Sequence, residues 1–344
     1  MLKDKLQIVL ITYNRIKYLK RTINYILADN SPIKDFDITV LDNASTDGTS
    51  ELIDEYCKKY PNLKHVRHDV NIGGNANICR AFELGKSSGK EYIWVLCDDD
   101  KYDFSNFDTV EKEIENKTDI ICVSDYSFKR KNDYNLAEYQ IFQLTFVPAG
   151  IYRTELITNN VMMNMYDAIY TMFQQCCISI YAINQGKKIK VLDKPIVFNG
   201  LHFDDKCESI SHARGMDDER ECLKRKRDNK WILGYSNVLS LLKDKKLIGK
   251  CMEVAVSYKD IYETHIKFFY DTCYNLIRFD KYGANYYIEI YKVLNFKLKL
   301  QLLLYTLCLS IPLFILYFYP SGDFINVRLL GKTIVRIKKR LPKI

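Results

Sequence analysis

The sequence predicts an α/β protein: a mostly parallel sheet covered by helices, followed by a mainly helical C-terminal region. Three observations carry that prediction. Short strand-like segments alternate four times with segments of helical period through the first hundred residues. Each strand-like segment leads into a polar loop, and the fourth ends in consecutive acids, where open α/β sheets place their ligands. From Cys222 onward, apolar residues cluster at helical spacing.

Residues 6–11 form the first expected strand, followed by a turn over residues 12–15 and a helix with Ile16, Leu19, Ile23 and Ile26 on one face. A second strand, residues 38–41, ends in Asp42-Asn43-Ala44-Ser45-Thr46-Asp47-Gly48, and a helix from about Thr49 turns Leu52, Ile53 and Tyr56 inward. The third strand is expected at residues 64–67, then the loop Asn71-Ile72-Gly73-Gly74 and a helix through Ala81 and Leu84. The fourth, Tyr92-Ile93-Trp94-Val95-Leu96, leads to Asp98, Asp99 and Asp100. Residues 119–124 read as a fifth strand, and residues 140–147 with Ile151, Tyr152 and Arg153 as further β structure beyond a polar loop at 129–138. Residues 162–184 are expected to be helical, 188–198 extended, and 201–219 a polar loop. Helix faces follow in Leu239, Leu242 and Leu247, in Ile261, Ile266 and Phe269, and in Tyr286, Ile290 and Val293.

At 344 residues and 47% hydrophobic content the chain has ample core, which excludes a mainly disordered protein. Its eleven cysteines are scattered and contain no Cys-x-x-Cys pair, so neither a zinc site nor a disulfide framework is expected. With no apolar export segment ahead of the first strand, the expectation is reduced thiols in the cytoplasm. The net charge of +8 is modest and uneven, and no nucleic-acid partner is expected. Residues 328–344 hold seven basic residues and no acid. Before them, residues 300–319 are uncharged and rich in Leu, Ile, Phe and Tyr, long enough to span or enter a bilayer but interrupted by Pro312. Tyr317 and Tyr319 suit the headgroup level and the basic tail suits anionic lipid. The alternative is a buried helix of a C-terminal bundle.

Three adjacent carboxylates repel one another, and a divalent cation with a preference for hard oxygen ligands, Mg²⁺ or Mn²⁺, relieves that repulsion while bridging to phosphates. A solvated acidic turn is the competing reading. Asn71 with Gly73 and Gly74 either lets a ligand approach the backbone closely or makes a plain turn. The spacing fits neither a dinucleotide fingerprint nor a P-loop.

Four motifs in order resemble the inverting glycosyltransferases of family 2, with the GT-A fold. They are Ile11-Thr12-Tyr13-Asn14-Arg15, Leu41-Asp42-Asn43-Ala44-Ser45-Thr46-Asp47-Gly48-Thr49, Asn71-Ile72-Gly73-Gly74 and Leu96-Cys97-Asp98-Asp99-Asp100. The run from Glu91 to Asp100 further resembles the abequosyltransferase-like branch of bacterial surface-polysaccharide enzymes. The resemblance implies transfer of a sugar from a nucleotide-diphosphate donor, a UDP-sugar being favoured, to a hydroxyl of a glycan or lipid-linked acceptor, with inversion. It implies a GT-A domain over residues 1–220, and the residues beyond suggest a helical region over 221–299 and a membrane-associated segment with basic tail over 300–344. Thr12, Tyr13, Asn14, Arg15, Asp42, Asn71, Gly73, Asp98 and Asp99 are the donor-binding candidates, and Asp100 the metal ligand. Asp98 is assigned to ribose or sugar, and Asp99 to help either role. Asn14 and Asp42 have a plainer alternative as helix caps, and Asp47 is expected as a cap or loop fastener rather than a donor contact.

The base that takes the acceptor proton is harder to place. The family draws an acid from a pair before a helix; the nearest match is Asp167, in Met165-Tyr166-Asp167-Ala168, which could equally cap a helix. Asp204 and Asp205 beside His202 are further candidates, and Arg153, Arg214 and Lys224 to Arg227 could grip phosphate or form a solvated face. With the apolar segment and basic tail, a peripheral place on the cytoplasmic face of a bacterial inner membrane is expected. Two rivals stand beside it: a sugar nucleotidyltransferase, and a non-catalytic membrane adaptor that binds nucleotide sugar.

Overall fold

The computed structural model describes residues 2–124, 136–198, 232, 234–257, 272–273, 281–321, 324–329 and 332–338. The loop at 201–219 with His202, Asp204, Asp205 and Arg214, the cluster Lys224 to Arg227, and Ile261, Ile266 and Phe269 lie outside these residues. The chain divides into two compact units, Met1–Leu247 and Ile248–Ile344.

The first unit is built on the expected sheet. Strands β1 (Leu6–Thr12), β2 (Ile38–Asp42), β3 (Leu63–Arg67) and β4 (Tyr92–Cys97) alternate with helices α1 (Ile16–Ile26), α2 (Thr49–Lys59) and α3 (Gly74–Ser87). β1 pairs in parallel with both β2 and β4, and β2 with β3. Because helices cover both faces, nearly every residue of β1, β2 and β4 is buried, which is why these strands read as unbroken apolar runs. α1 buries Leu19, Ile23 and Ile26 on the sheet, as its period requires. Trp94 of β4 packs among Tyr102, Phe104 and Phe107, and its indole N–H donates to the Pro148 carbonyl at 2.9 Å.

Beyond β4 come the short β5 (Lys101–Tyr102), α4 (Asp108–Glu115), β6 (Ile120–Cys122), α5 (Ala137–Gln143), β7 (Gly150–Arg153), α6 (Asn159–Asp167), α7 (Cys176–Asn184), β8 (Ile189–Val191) and β9 (Val197–Phe198). The sheet order is β3-β2-β1-β4-β7-β6-β8, with β7 antiparallel to both β4 and β6. The expectation of β structure over residues 140–147 is corrected, since α5 occupies its first half. A short apolar run does not distinguish strand from helix by period alone, and here the slot beside β4 is taken by β7. α5 instead packs on α7, with the Gln175 amide donating to the Thr145 carbonyl at 2.7 Å.

In the second unit, helices α8 (Lys245–Ser257), α9 (Lys281–Val293) and α10 (Phe296–Ile315) precede an antiparallel sheet of β10 (Leu316–Ser321), β11 (Phe324–Leu329) and β12 (Lys332–Lys338). The uncharged stretch 300–319 is therefore not one segment, because it is helical to Ile315 and strand from Leu316. Of the basic stretch, Arg328, Lys332, Arg336 and Lys338 lie in strands, while Lys339, Arg340 and Lys343 fall outside the described residues. Tyr317, Phe318, Ile325, Val327, Ile334 and Val335, aromatic or β-branched, favour strand pairing over residues 316–338. Among the described residues no helix is long and apolar enough to cross a membrane.

Candidate active site

Parallel pairing brings the carboxyl ends of β2, β1 and β4 side by side, with Thr12 opposite Asp42 and Ile11 opposite Cys97. The loops leaving these ends knit together through side chains. The Asp98 carboxylate, almost fully buried, accepts the Thr12 hydroxyl at 2.6 Å on one oxygen and the Arg15 guanidinium at 2.9 Å on the other. Arg15 also reaches Asp99 at 2.9 Å. From α1, Thr22 donates to the Asp98 carbonyl at 2.7 Å and Arg21 to the Asp99 carbonyl at 3.2 Å. The Tyr102 hydroxyl donates to the Cys97 carbonyl at 2.7 Å and accepts from the Cys97 N–H at 3.1 Å, fixing the strand end from which the acids emerge.

The electrostatics follow from burial. Desolvation pushes the Asp98 carboxyl up to about 6; Arg15 opposes that rise and Asp99 adds to it. Burial works against the charge of Arg15, yet Asp98 and Asp99 outweigh it and hold the guanidinium firmly protonated. Burial, reinforced by the three aspartates, drives the Cys97 thiol well above its ordinary value, so it stays neutral beside them. Arg15, expected to face the donor, is thus first of all the internal counter-ion of the acidic cluster.

Asp42 is fully buried. One oxygen accepts the Ser45 N–H at 2.9 Å; the other accepts the Ser50 hydroxyl at 2.5 Å and lies 3.3 Å from Arg67 Nε, whose residue is its register partner on β3. It does not occupy the capping position of α2, which falls to Gly48. Asn14 adopts a left-handed backbone, φ +49°, and accepts the Thr46 N–H at 2.7 Å while its own N–H donates to the Ser45 hydroxyl at 2.9 Å. The first two loops are joined there, and Asn14 is not the cap of α1. That role is shared across loops, because Asp47 accepts the Ile16 N–H at 3.0 Å on one oxygen and the Thr49 N–H at 3.2 Å on the other. Its expected part as a fastener is what the contacts describe.

Asn71 accepts from Asn43 Nδ2 and from the Gly73 N–H, both at 2.8 Å, while Asn43 accepts the Ile72 N–H at 3.0 Å. The third loop is thereby bound to the second. Gly73 has φ +85° and ψ 150°, a region open in practice only to glycine, and the space above it is clear. Tyr13 is half-buried.

The cluster's chemistry can be tested against a divalent cation. Both Asp98 oxygens are committed to Thr12 and Arg15, Asp99 is held by Arg15, and Asp100 is buried at the same strand end. Among the described residues no group of three or more His, Cys, Asp or Glu side chains is placed to hold a metal ion. A hard cation at this strand end would therefore take most of its ligands from phosphate oxygens and water.

Asp167 lies apart from these loops in the chain, as the exposed last residue of α6. It does not cap the start of that helix, where the Thr158 hydroxyl accepts the Val161 N–H at 3.2 Å. Arg153 pairs with Glu155 at 2.9 Å and lies 3.6 Å from Asp119. Sequence reasoning missed Thr22 and Arg67. A threonine on the apolar face of α1 and a basic residue ending the strand next to Asp42 were the signals for them. It also missed Gln174 and Gln175, both fully buried before α7; neither amide atom of Gln174 has a hydrogen-bond partner among the described residues. No spacing rule marks such a pair.

The pattern of glycosyl transferase family 2 matches residues 7–183, more than half of the chain. Abequosyltransferase RfbV of Salmonella typhimurium is 31% identical over 110 residues, 32% of this chain and 32% of that protein. The poly(ribitol-phosphate) beta-N-acetylglucosaminyltransferase TarS of Staphylococcus aureus is 26% identical over 171 residues, 45% of this chain and 29% of that protein. The chain spans less than a third of the length of these curated relatives. Among solved structures, S. aureus TarS 1-349 in complex with UDP-GlcNAc aligns over 97% of this chain and 99% of that one at 14% identity, with a TM-score of 0.47. A mannosyltransferase from Pyrobaculum calidifontis in complex with GDP-Man and Mn²⁺ aligns over 88% and 87% at 11% identity, also with a TM-score of 0.47.

Proposed function

The chain belongs to glycosyl transferase family 2, and from that premise we propose that it transfers a sugar from a nucleotide-diphosphate donor to a hydroxyl of a lipid-linked glycan, with inversion, in bacterial surface-polysaccharide assembly. The observation that carries the reading is the convergence of Thr12, Asp42 and Asp98 at the carboxyl ends of three adjacent parallel strands, with Asp99 and Asp100 following. In this reading the nucleoside lies along the loops after β1 and β2, with Tyr13, Asn14 and Asp42 beside base and ribose, and a UDP-sugar as the favoured donor. Asn71 and Gly73 hold the third loop so that its open backbone can approach the donor.

Asp98 and Arg15 preorganise the acidic cluster, and Asp100 is the carboxylate that meets Mn²⁺ or Mg²⁺. When bound, that cation neutralises charge growing on the departing diphosphate. Asp167 is the proposed base for the acceptor hydroxyl, its side chain being exposed at the end of α6. The division into donor domain (1–220), helical region (221–299) and membrane-associated segment (300–344), and a peripheral place on the cytoplasmic face of the inner membrane, complete the reading.

Incubation with a panel of nucleotide sugars and Mn²⁺ tests it. The transferase releases nucleoside diphosphate. Release of pyrophosphate would assign a nucleotidyltransferase instead, and release of neither product would leave a binding protein.

A further inference from the structure

Helix α10 has two unlike faces. One is built into its unit: Leu298 and Leu302 are fully buried, Asn295 caps the helix by accepting the Leu298 N–H at 2.9 Å, and Thr306 bonds the Tyr287 hydroxyl of α9 at 2.9 Å. The other carries Phe296, Leu300, Leu303, Leu304 and Leu307, all exposed, from 42% at Leu303 to 82% at Phe296. Their spacing, i, i+4, i+7, i+8 and i+11, makes a single stripe along about three turns. Scattered exposed apolar residues need no explanation, but a continuous stripe of five marks a contact surface.

The charges around it indicate what the stripe meets. Lys297 and Lys299 flank its first turn, and Lys297 keeps its side chain largely exposed while touching Glu253 at 3.0 Å. In the sheet that follows, Tyr319 pairs in register with Asn326 and Asn326 with Arg336, and Phe324 pairs with Lys338. Leucines beside lysines, followed by aromatic and cationic strand positions with no acid from residue 328 on, complement an anionic lipid surface.

We infer that the exposed stripe of α10 lies in the headgroup boundary of an anionic membrane, with the chain resting on the bilayer rather than crossing it. Crossing is incompatible with what surrounds the helix. Its inner face is bonded to α9, and at Leu316 the chain passes directly into a three-stranded open sheet whose edge groups hydrocarbon could not satisfy. This deepens the lipid-linked acceptor reading, on which it rests for its purpose, since a domain held at the surface meets an acceptor confined to two dimensions.

The test is flotation of the full chain with vesicles of phosphatidylcholine alone and with equal parts phosphatidylglycerol. The wild type floats with the anionic vesicles and much less with the neutral ones. Leu304→Asp combined with Leu307→Asp lowers the bound fraction at least about tenfold, since each change exchanges apolar burial for an acid at an anionic surface. Both side chains are already exposed, so the melting temperature stays within about 1–2 °C of wild type, in line with ordinary surface substitutions. Undiminished flotation of the variant, or a wild type that stays at the bottom of the gradient, overturns the inference. So does a wild-type dimer that becomes monomeric in the variant without any vesicle binding, which would assign the stripe to a second copy. Nucleoside diphosphate release without vesicles, measured in parallel, keeps the two readings separate. Its absence in the wild type sinks the transferase proposal and leaves the flotation result standing.

Discussion

Replacing Arg15 with methionine isolates the interaction on which the acidic cluster depends. The guanidinium lies 2.9 Å from both Asp98 and Asp99, and the side chains of Arg15 and Asp98 are only 14% and 1% exposed. Removing one partner of a buried pair costs about 3–5 kcal/mol because the other charge is stranded. Thr12 remains bonded to Asp98, which favours the lower end, about 3 kcal/mol at a pH near 8. For a unit of this size that is about 6–12 °C in melting temperature. The penalty depends on pH with a definite sign. Asp98 has a folded value of about 6 against an ordinary 3.8, so the folded state holds this proton more tightly. Its contribution to stability is therefore largest below the ordinary value and declines as pH rises toward about 6. Without Arg15 the carboxyl rises further, and a protonated, neutral Asp98 has no need of a counter-ion. The Arg15→Met penalty should shrink markedly between pH values of about 8 and about 5, read by thermal melts of nucleotide-free protein at constant ionic strength. Asp98→Asn in the same background should recover part of the loss. A penalty below about 1 kcal/mol, or one unchanged across the pH range, would refute the pairing as the source of cluster stability.

Asp100→Ala is expected to abolish metal-dependent release of nucleoside diphosphate while leaving the melting temperature within a few degrees; unchanged turnover would remove Asp100 from the metal site. Asp47→Ala strips acceptors from the Ile16 and Thr49 amides and should destabilise by about 1–2 kcal/mol in urea titrations, as loss of a helix cap does. Gly234→Ala would set a Cβ 2.1 Å from the Thr171 backbone oxygen, which cannot swing aside as a side-chain tip can. A loss of about 1–3 kcal/mol is expected in the same titration.

β1, β2 and β4 were legible because burial on both faces makes a parallel strand an unbroken apolar run, as in Tyr92 to Leu96, whereas β3 at the sheet edge is only partly buried. The acids were legible by position, at the carboxyl ends where open α/β sheets place their ligands, although Asp42, Asp98 and Asp100 are themselves buried. How those acids are bonded was not legible. Arg15 and Asp98 are 83 residues apart in sequence, and their contact exists only because β1 and β4 are neighbours. Arg67 beside Asp42 depends in the same way on the β2–β3 register. Residues 140–147 misled because an apolar run of that length packs equally well as strand or helix, and the choice was made by β7 taking the position next to β4. The C-terminal sheet begins inside the uncharged stretch, at Leu316, and runs on through the basic one, so neither stretch by itself marks it. Its aromatic and β-branched residues were the better guide.

The most direct measurement is a crystal structure of the protein soaked with UDP and Mn²⁺. The account predicts the cation against Asp100, the diphosphate beside it at the carboxyl ends of β1 and β4, and the base alongside Tyr13 and Asp42. A nucleotide bound away from these strand ends, with the three aspartates touching neither metal nor phosphate, would contradict it.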